Sequence, residues 1–482
     1  MTTTSLGTAP STAPSTAGTG DELARHRRRY AVVGTGGRSQ MYLDALTGTH
    51  ADVGQVVALV DTNEVRMSYY DEHLAGRGVT VPPRHCAPEV FADLLASGDV
   101  DAVVVTSPDV THAAYVVAAL DAGVDVVCEK PLTIDAEGLR DIVAAAQRST
   151  ARLVVTFNYR YSPRNSLVRR LIQDGEIGQV TSVHFEWCLD TVHGADYFRR
   201  WHRDKRNSGG LLVHKSTHHF DLVNWWLADV PETVFALGGL RFYGRENAER
   251  RGLGDRPGLG RDGVGTGDPF VLDLAADERM RRLFLEGERV DGYHRDRDVF
   301  SDGITAEDNL TLAVGYARGT SMAYTLTAHA PWEGYRVAFN GTRGRLELEV
   351  VERSHVSAEA VTSGGPLGKD RPVVDPSAQP DEATLAAQSL RPWGSRLLLQ
   401  RHWEAPVQVP IPEGAGAHGG GDAMLLDDVL RGPGEDPLRR QAGYLDGVRS
   451  VLVGVAGNLS LETGDAVRLS GFGLPLDEAG GR

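Results

Sequence analysis

A short β-branched run that ends in a glycine-rich turn constrains this chain more than any other feature. Ala31-Val32-Val33 leads into Gly34-Thr35-Gly36-Gly37-Arg38-Ser39, and an apolar helical start follows near Gln40-Met41-Tyr42-Leu43. Gly34 permits a tight turn, and Gly36 lets the backbone approach a pyrophosphate. The third position of the pattern, where glycine or alanine is usual, holds Ser39, which is still small. The helix start behind the turn offers unpaired N–H groups and a partial positive charge to phosphate oxygens.

The next strand, Gln55 to Val60, ends in Asp61. A carboxylate at that place accepts both ribose hydroxyls of an adenosine and repels a 2′-phosphate, which favours NAD over NADP. Its distance from the glycine turn is somewhat longer than the usual ~20 residues, and a longer helix and loop would absorb the difference. Two further units follow. Asp101 to Val105 reads as a buried strand ending in Thr106-Ser107-Pro108, and His112 opens a helix through Leu120. Asp125-Val126-Val127 reads as a strand delivering Cys128-Glu129-Lys130-Pro131, then a helix spans Ala136 to Arg148 and a strand Arg152 to Phe157. Strands alternating with helices at this spacing predict a doubly wound parallel sheet with right-handed crossovers. Proline after Lys130 stops the ladder and restrains the residue before it, so the lysine is aimed rather than left to wander.

After Asn158-Tyr159-Arg160 the pattern changes from helical units to alternation. Val180 to Trp187, Asn309 to Tyr316, Thr320 to Ala328 and Tyr335 to Phe339 alternate, with hairpin signals at Arg318-Gly319 and Asn340-Gly341. A second α/β domain with a large, mainly antiparallel sheet and one open face is expected. The expected organisation is a tail over 1–28, a dinucleotide domain over 29–158, the second domain over 159–471, and a tail over 472–482. Residues 245–300, rich in Gly, Asp and Arg, and 355–417, rich in Pro, Gly and Ser, read as surface insertions or loops. A final helix pair, Ala423 to Leu430 and Tyr444 to Leu461, stops at Thr463-Gly464.

A formal charge of -15 on 482 residues argues against nucleic acid or an anionic membrane surface as partner. Three cysteines, Cys86, Cys128 and Cys188, form no disulfide framework and point to a reducing, cytoplasmic setting. No apolar run approaches the roughly 18 residues of a membrane span. The arginines before Tyr30 lack the apolar region of an export signal.

Together, the glycine turn, Asp61, Thr106-Ser107-Pro108 with His112, Glu129-Lys130-Pro131, Asn158-Tyr159-Arg160 and the run Gly209 to Asp221 resemble the Gfo/Idh/MocA family of NAD(P)-dependent oxidoreductases. The resemblance covers roughly 29–245 and 305–350, and the helix pair after His418-Gly419-Gly420-Gly421-Asp422 also looks typical. It implies an N-terminal Rossmann domain and a second domain whose open sheet face binds substrate or pairs subunits, as a homodimer or homotetramer. It implies a cofactor lined by Gly34, Thr35, Gly36, Gly37, Arg38, Ser39, Asp61, Thr106, Ser107, Pro108, His112, Glu129, Lys130 and Asn158. The family commonly reads Asp-x-Gly-x-His-x-x-Asp, so His218 matches its catalytic histidine. His214 replaces its aspartate and Ser216 its glycine.

Were the chain helical from Leu211 onward, His214 and His218 would share one face at i, i+4. That spacing also suits a metal pair, but zinc would need two more ligands that the nearby chain does not offer, so no metal is expected. Oxidising a sugar alcohol needs a base and a cation for the developing alkoxide. His218 is assigned as base and Lys130 as cation, with His214 beside them. Substrate contacts are assigned to Lys130, Arg160, Trp201, Lys205, His214 and His218, in part because Tyr197, Arg199, Trp201, His202 and Lys205 form an aromatic and basic cluster suited to a sugar. Core packing explains Trp201 equally well, and a salt bridge to a surface carboxylate explains Arg160 nearly as well.

The leading expectation is an NAD-dependent dehydrogenase of a sugar, inositol or related polyol. A hydride-recycling lyase or glycosidase and a non-catalytic NAD sensor are the alternatives.

Overall fold

The computed structural model describes residues 27–357, 390–412 and 420–477. The expected tail up to residue 26, residues 358–389 and 413–419 of the second expected insertion, and residues 478–482 lie outside the described residues.

Six parallel strands form the first sheet: β1 (Arg28–Val33), β2 (Gly54–Val60), β3 (Arg84–Cys86), β4 (Ala102–Val105), β5 (Asp125–Cys128) and β6 (Leu153–Val155). Their order is β3-β2-β1-β4-β5-β6. The valine-rich strands are buried on both faces, as a sheet covered on two sides requires. The helices Ser39–Thr47 and Glu64–Gly76 cover one face through Tyr42, Leu43, Met67 and Tyr70. His112–Asp121 and Ala136–Arg148 cover the other through Val116, Ala119, Leu139 and Ile142. Strand order reverses between β1 and β4, so their carboxyl ends open a crevice, the usual ligand position in such sheets.

Among the described residues the second sheet has nine strands, in the order β14-β13-β12-β11-β7-β10-β9-β8-β15. They are β7 (Val180–Asp190), β8 (Pro231–Gly239), β9 (Asn309–Tyr316), β10 (Ser321–Ala330), β11 (Glu333–Gly341), β12 (Gly344–Arg353), β13 (Gly394–Arg401), β14 (Val407–Val409) and β15 (Val467–Arg468). Among these described strands only β7 and β10 pair in parallel. Alternate residues are buried against the helices Thr217–Leu227 and Tyr444–Thr463. The opposite face is open and carries His184, Glu186, Thr325, Arg336, Glu347 and Arg396 around a shallow cavity of about 600 Å³.

Three expectations need correction. The composition of 355–417 predicts surface insertion or loop, yet Gly394–Arg401 and Val407–Val409 extend the sheet, because Leu397 and Leu399 bury against β12. Residues 245–300 are no mere surface excursion: Leu272, Leu274, Met280, Leu283 and Phe284 join the first domain's core beside Tyr42 and Tyr70. The run from Leu211 is not one helix, since Leu211–His214 and Thr217–Leu227 are separated at Lys215-Ser216. The helix Gly421–Leu430 also leaves its sequence neighbours and packs Leu425, Val429 and Leu430 into the first domain's core.

Candidate active site

Gly34 adopts φ +85, and a Cβ there would lie 2.5 Å from Ser107 Cα, so only glycine lets β1 turn beneath the end of β4. At Gly36 a Cβ would meet no atom within 4 Å. The turn therefore opens onto free space at the place where a pyrophosphate would lie, and it fits a dinucleotide. Tyr70 OH and Ser39 Oγ donate to Gly36 O at 2.8 and 2.7 Å, holding that carbonyl back. Asp61 Oδ2 accepts from Thr35 N and Thr35 Oγ1 at 2.6 and 2.7 Å, and Oδ1 accepts from Asn63 N at 2.8 Å. The acidic strand end thus also fixes the shape of the turn.

Thr106 Oγ1 donates to Gly34 O at 2.6 Å, and Ser107 Oγ pairs with Thr111 Oγ1. Pro108 sits before the short turn Asp109–Thr111. His112 is buried with its ring nitrogens 2.7 Å from Pro131 O and 2.9 Å from Ser107 O, which pins the ends of β4 and β5 together. Glu129 Oε1 accepts from Arg38 Nε and Tyr42 OH, both at 2.7 Å. Asn158 Nδ2 donates to Asp422 Oδ1 at 2.6 Å, and Arg38 lies 3.9 Å from the same carboxylate. Asp422 enters from the helix Gly421–Leu430, far away in sequence.

Lys130 follows the end of β5, and its Nζ donates to His214 O at 3.2 Å. Burial pushes this lysine down to about 8, although Asp109 and Glu129 pull the other way. His214 Nδ1 lies 2.5 Å from Asp109 Oδ2. Burial drives the imidazole well below its ordinary range, with Lys130 adding to the effect, and drives Asp109 up. Asp109 engages Nδ1, and Nε2 is the ring nitrogen that remains. His202 stands edge-on to His214 at 4.1 Å between ring centres and stacks on Trp201 at 3.7 Å.

His218 stacks on Tyr159 at 4.4 Å and meets the edge of Phe157. Lys215 Nζ donates to Tyr159 OH at 3.2 Å, and burial pushes this lysine, too, down to about 8. His219 is a packing residue, stacked on Trp187 at 3.9 Å and bonded to Tyr324 OH.

Two assignments do not hold in the expected form. Arg160 does not line the site: its guanidinium is buried, donates to both oxygens of Asp221 at 2.8 and 2.5 Å, and also meets Asp446. Lys205 has its ammonium committed to Glu307 at 2.5 Å. Sequence reasoning missed Asp109, Lys215 and Asp422. Asp109 directly follows Ser107-Pro108 and Lys215 follows His214, so adjacency to motif residues was the available signal. For Asp422 only the His418 to Asp422 run pointed there.

Two family profiles match nearly the whole described chain. The oxidoreductase family's NAD-binding Rossmann fold covers 28–157, and its C-terminal alpha/beta domain covers 169–469. The chain belongs to the Gfo/Idh/MocA oxidoreductase family. Among relatives, YteT of Bacillus subtilis (strain 168), named as an oxidoreductase, is 35% identical over 379 residues, 76% of this chain and 80% of that protein. Inositol 2-dehydrogenase of Rhizobium meliloti (strain 1021) is 30% identical over 212 residues, covering 44% of this chain and 58% of that enzyme. The fold of this Gfo/Idh/MocA protein matches the WlbA dehydrogenase of Bordetella pertussis, solved with NADH and UDP-GlcNAcA, at TM-score 0.57 and 19% identity, over 94% of this chain and 100% of that one.

Proposed function

We propose that this Gfo/Idh/MocA oxidoreductase transfers a hydride between NAD and a hydroxyl-bearing carbon of a sugar, inositol or related polyol. The observation that carries the reading is the meeting of Lys130, at the carboxyl end of the cofactor-binding sheet, with His214 of the second domain. Nicotinamide, when bound, supplies the hydride acceptor. Lys130 polarises the substrate oxygen, and His218 takes its proton. His214, held by Asp109, presents Nε2 to a second hydroxyl, so an imidazole backed by a carboxylate takes the position of the family's usual aspartate. Trp201 closes the same region by stacking on His202.

NAD is favoured over NADP because Asp61 stands where a 2′-phosphate would go. Arg66, the basic group beside it, is already shared between Asp61 and Asp291. The inositol 2-dehydrogenase relative supports a polyol substrate. A cytoplasmic homo-oligomer acting on a small molecule, with no nucleic acid or membrane partner, completes the reading. The formal charge of -15 and three buried free thiols support it.

The test is a screen of sugars, inositols and glycosides by nicotinamide absorbance together with product analysis. Lys130→Met and His218→Ala should each lower turnover about 10²-fold or more with cofactor affinity nearly intact. Unchanged turnover in either variant sinks its assigned role.

A further inference from the structure

The segment between β8 and β9 reaches back across the first domain and touches it at four places around the glycine turn. Asn63, at the helix start behind Asp61, donates from Nδ2 to Gly287 O at 2.9 Å. Arg66 pairs with Asp291. Arg282 pairs with Glu72 at 2.8 Å and lies over the Tyr69 ring. Arg279 Nη2 donates to Gly37 O at 3.1 Å, on the turn itself. Met280, Leu283 and Phe284 anchor this strap in the core, so it is no loosely attached loop.

Arg279 differs from the other two arginines. Arg66 and Arg282 each have a carboxylate, whereas Arg279 forms no ion pair among the described residues, and its buried Nε has no hydrogen-bond partner. A guanidinium held against a carbonyl, with donor capacity left over and no counter-charge, is a site for an anion. A Cβ built on Gly37 would meet Arg279 Nη2 at 3.4 Å, so the guanidinium occupies the side of the turn where a side chain would otherwise stand. The Gly36 carbonyl is meanwhile held by Tyr70 and Ser39.

We infer that Arg279 is a cofactor-binding residue: it bonds a pyrophosphate oxygen of the dinucleotide beside Gly37, and the strap around it slows the cofactor's departure. The inference rests on the dinucleotide reading of the glycine turn. A ligand diphosphate would thereby be gripped by backbone amides of one domain and a side chain of the other. Release would require the strap to lift, together with its contacts to Asn63 and Arg66.

The experiment measures NADH affinity and dissociation rate by fluorescence on the full chain, with thermal melting alongside. Arg279→Gln keeps a donor for Gly37 O and removes the charge. It should weaken NADH binding about tenfold or more, chiefly through faster dissociation, because a charge-assisted bond is lost. Arg279→Lys should retain most of the affinity. Arg148→Ala, which removes an exposed ion pair with Asp121 outside the strap, should stay within about twofold of the parent. Arg279→Gln binding NADH as the parent does, or Arg279→Gln and Arg148→Ala losing affinity equally, overturns the inference while leaving the dinucleotide reading intact. A parent chain with no affinity for NADH overturns both.

Discussion

At Gly34 a single methyl group decides whether the glycine turn exists. Its φ of +85 already disfavours any L side chain, and the added carbon would sit 2.5 Å from backbone atoms of Ser107 that cannot swing aside. Gly34→Ala should therefore destabilise the protein by at least about 2 kcal/mol in denaturant unfolding and remove measurable cofactor binding. Lys130 carries a different kind of constraint. With burial holding it near 8, its ammonium is present below that pH and lost as pH rises through it. Turnover should fall along an alkaline limb centred near 8. Lys215→Met should keep a limb, moved upward because a neighbouring positive charge that lowers Lys130 is gone, whereas Lys130→Arg should abolish it because guanidinium stays protonated. Gly34 and Lys130 were legible because turn conformation and strand-end charge are local properties. The Asp109–His214 bond was not, since its partners lie in different domains and only the fold brings them within 2.5 Å. Arg160 misled for a related reason: a basic residue beside a motif looks like a ligand contact until Asp221 and Asp446 close around it.

Whole elements were read well where hydrophobic period alone decides them. The helix Ala136–Arg148, capped by Asp135, and the strand Asn309–Tyr316 have the expected bounds. Reading failed where packing overrides composition. Leu397-Leu398-Leu399 is too short a run to stand out among Pro, Gly and Ser, and its partner β12 supplies the missing information. The interruption between Leu211–His214 and Thr217–Leu227 carries no proline or glycine; Ser216 is instead drawn to Tyr324 OH across the domain. The strap was hidden for the same reason, its apolar residues being spaced among charges. Leu283, wholly buried there, gives a direct check: Leu283→Ala should lower stability by about 2–5 kcal/mol, as a core residue would, whereas a surface excursion would tolerate it.

For the whole molecule, the nine-stranded sheet presents one broad face to the outside. Strands of this length leave a large surface uncovered, and the proposed homo-oligomer would set that surface against its copy in a second subunit. The face is laid out in opposite charges, Arg336 with Glu349 and Arg396 with the same glutamate, so assembly through it should weaken as salt rises. Mass measurement in solution should give a dimer or tetramer; a monomer at every salt concentration would remove that proposal.

The core beneath the helices Ser39–Thr47 and Glu64–Gly76 draws on Leu272 to Phe284 and on Leu425 to Leu430 as well as on its own strands. During synthesis the first domain would therefore leave the ribosome with an apolar side uncovered. That side stays exposed until the segment containing Leu283 arrives, and it is completed only when the helix Gly421–Leu430 has been made. The nucleotide-binding half is translated first yet completed only late, and chaperone dependence should track the delivery of those two late segments rather than the first domain's own sequence.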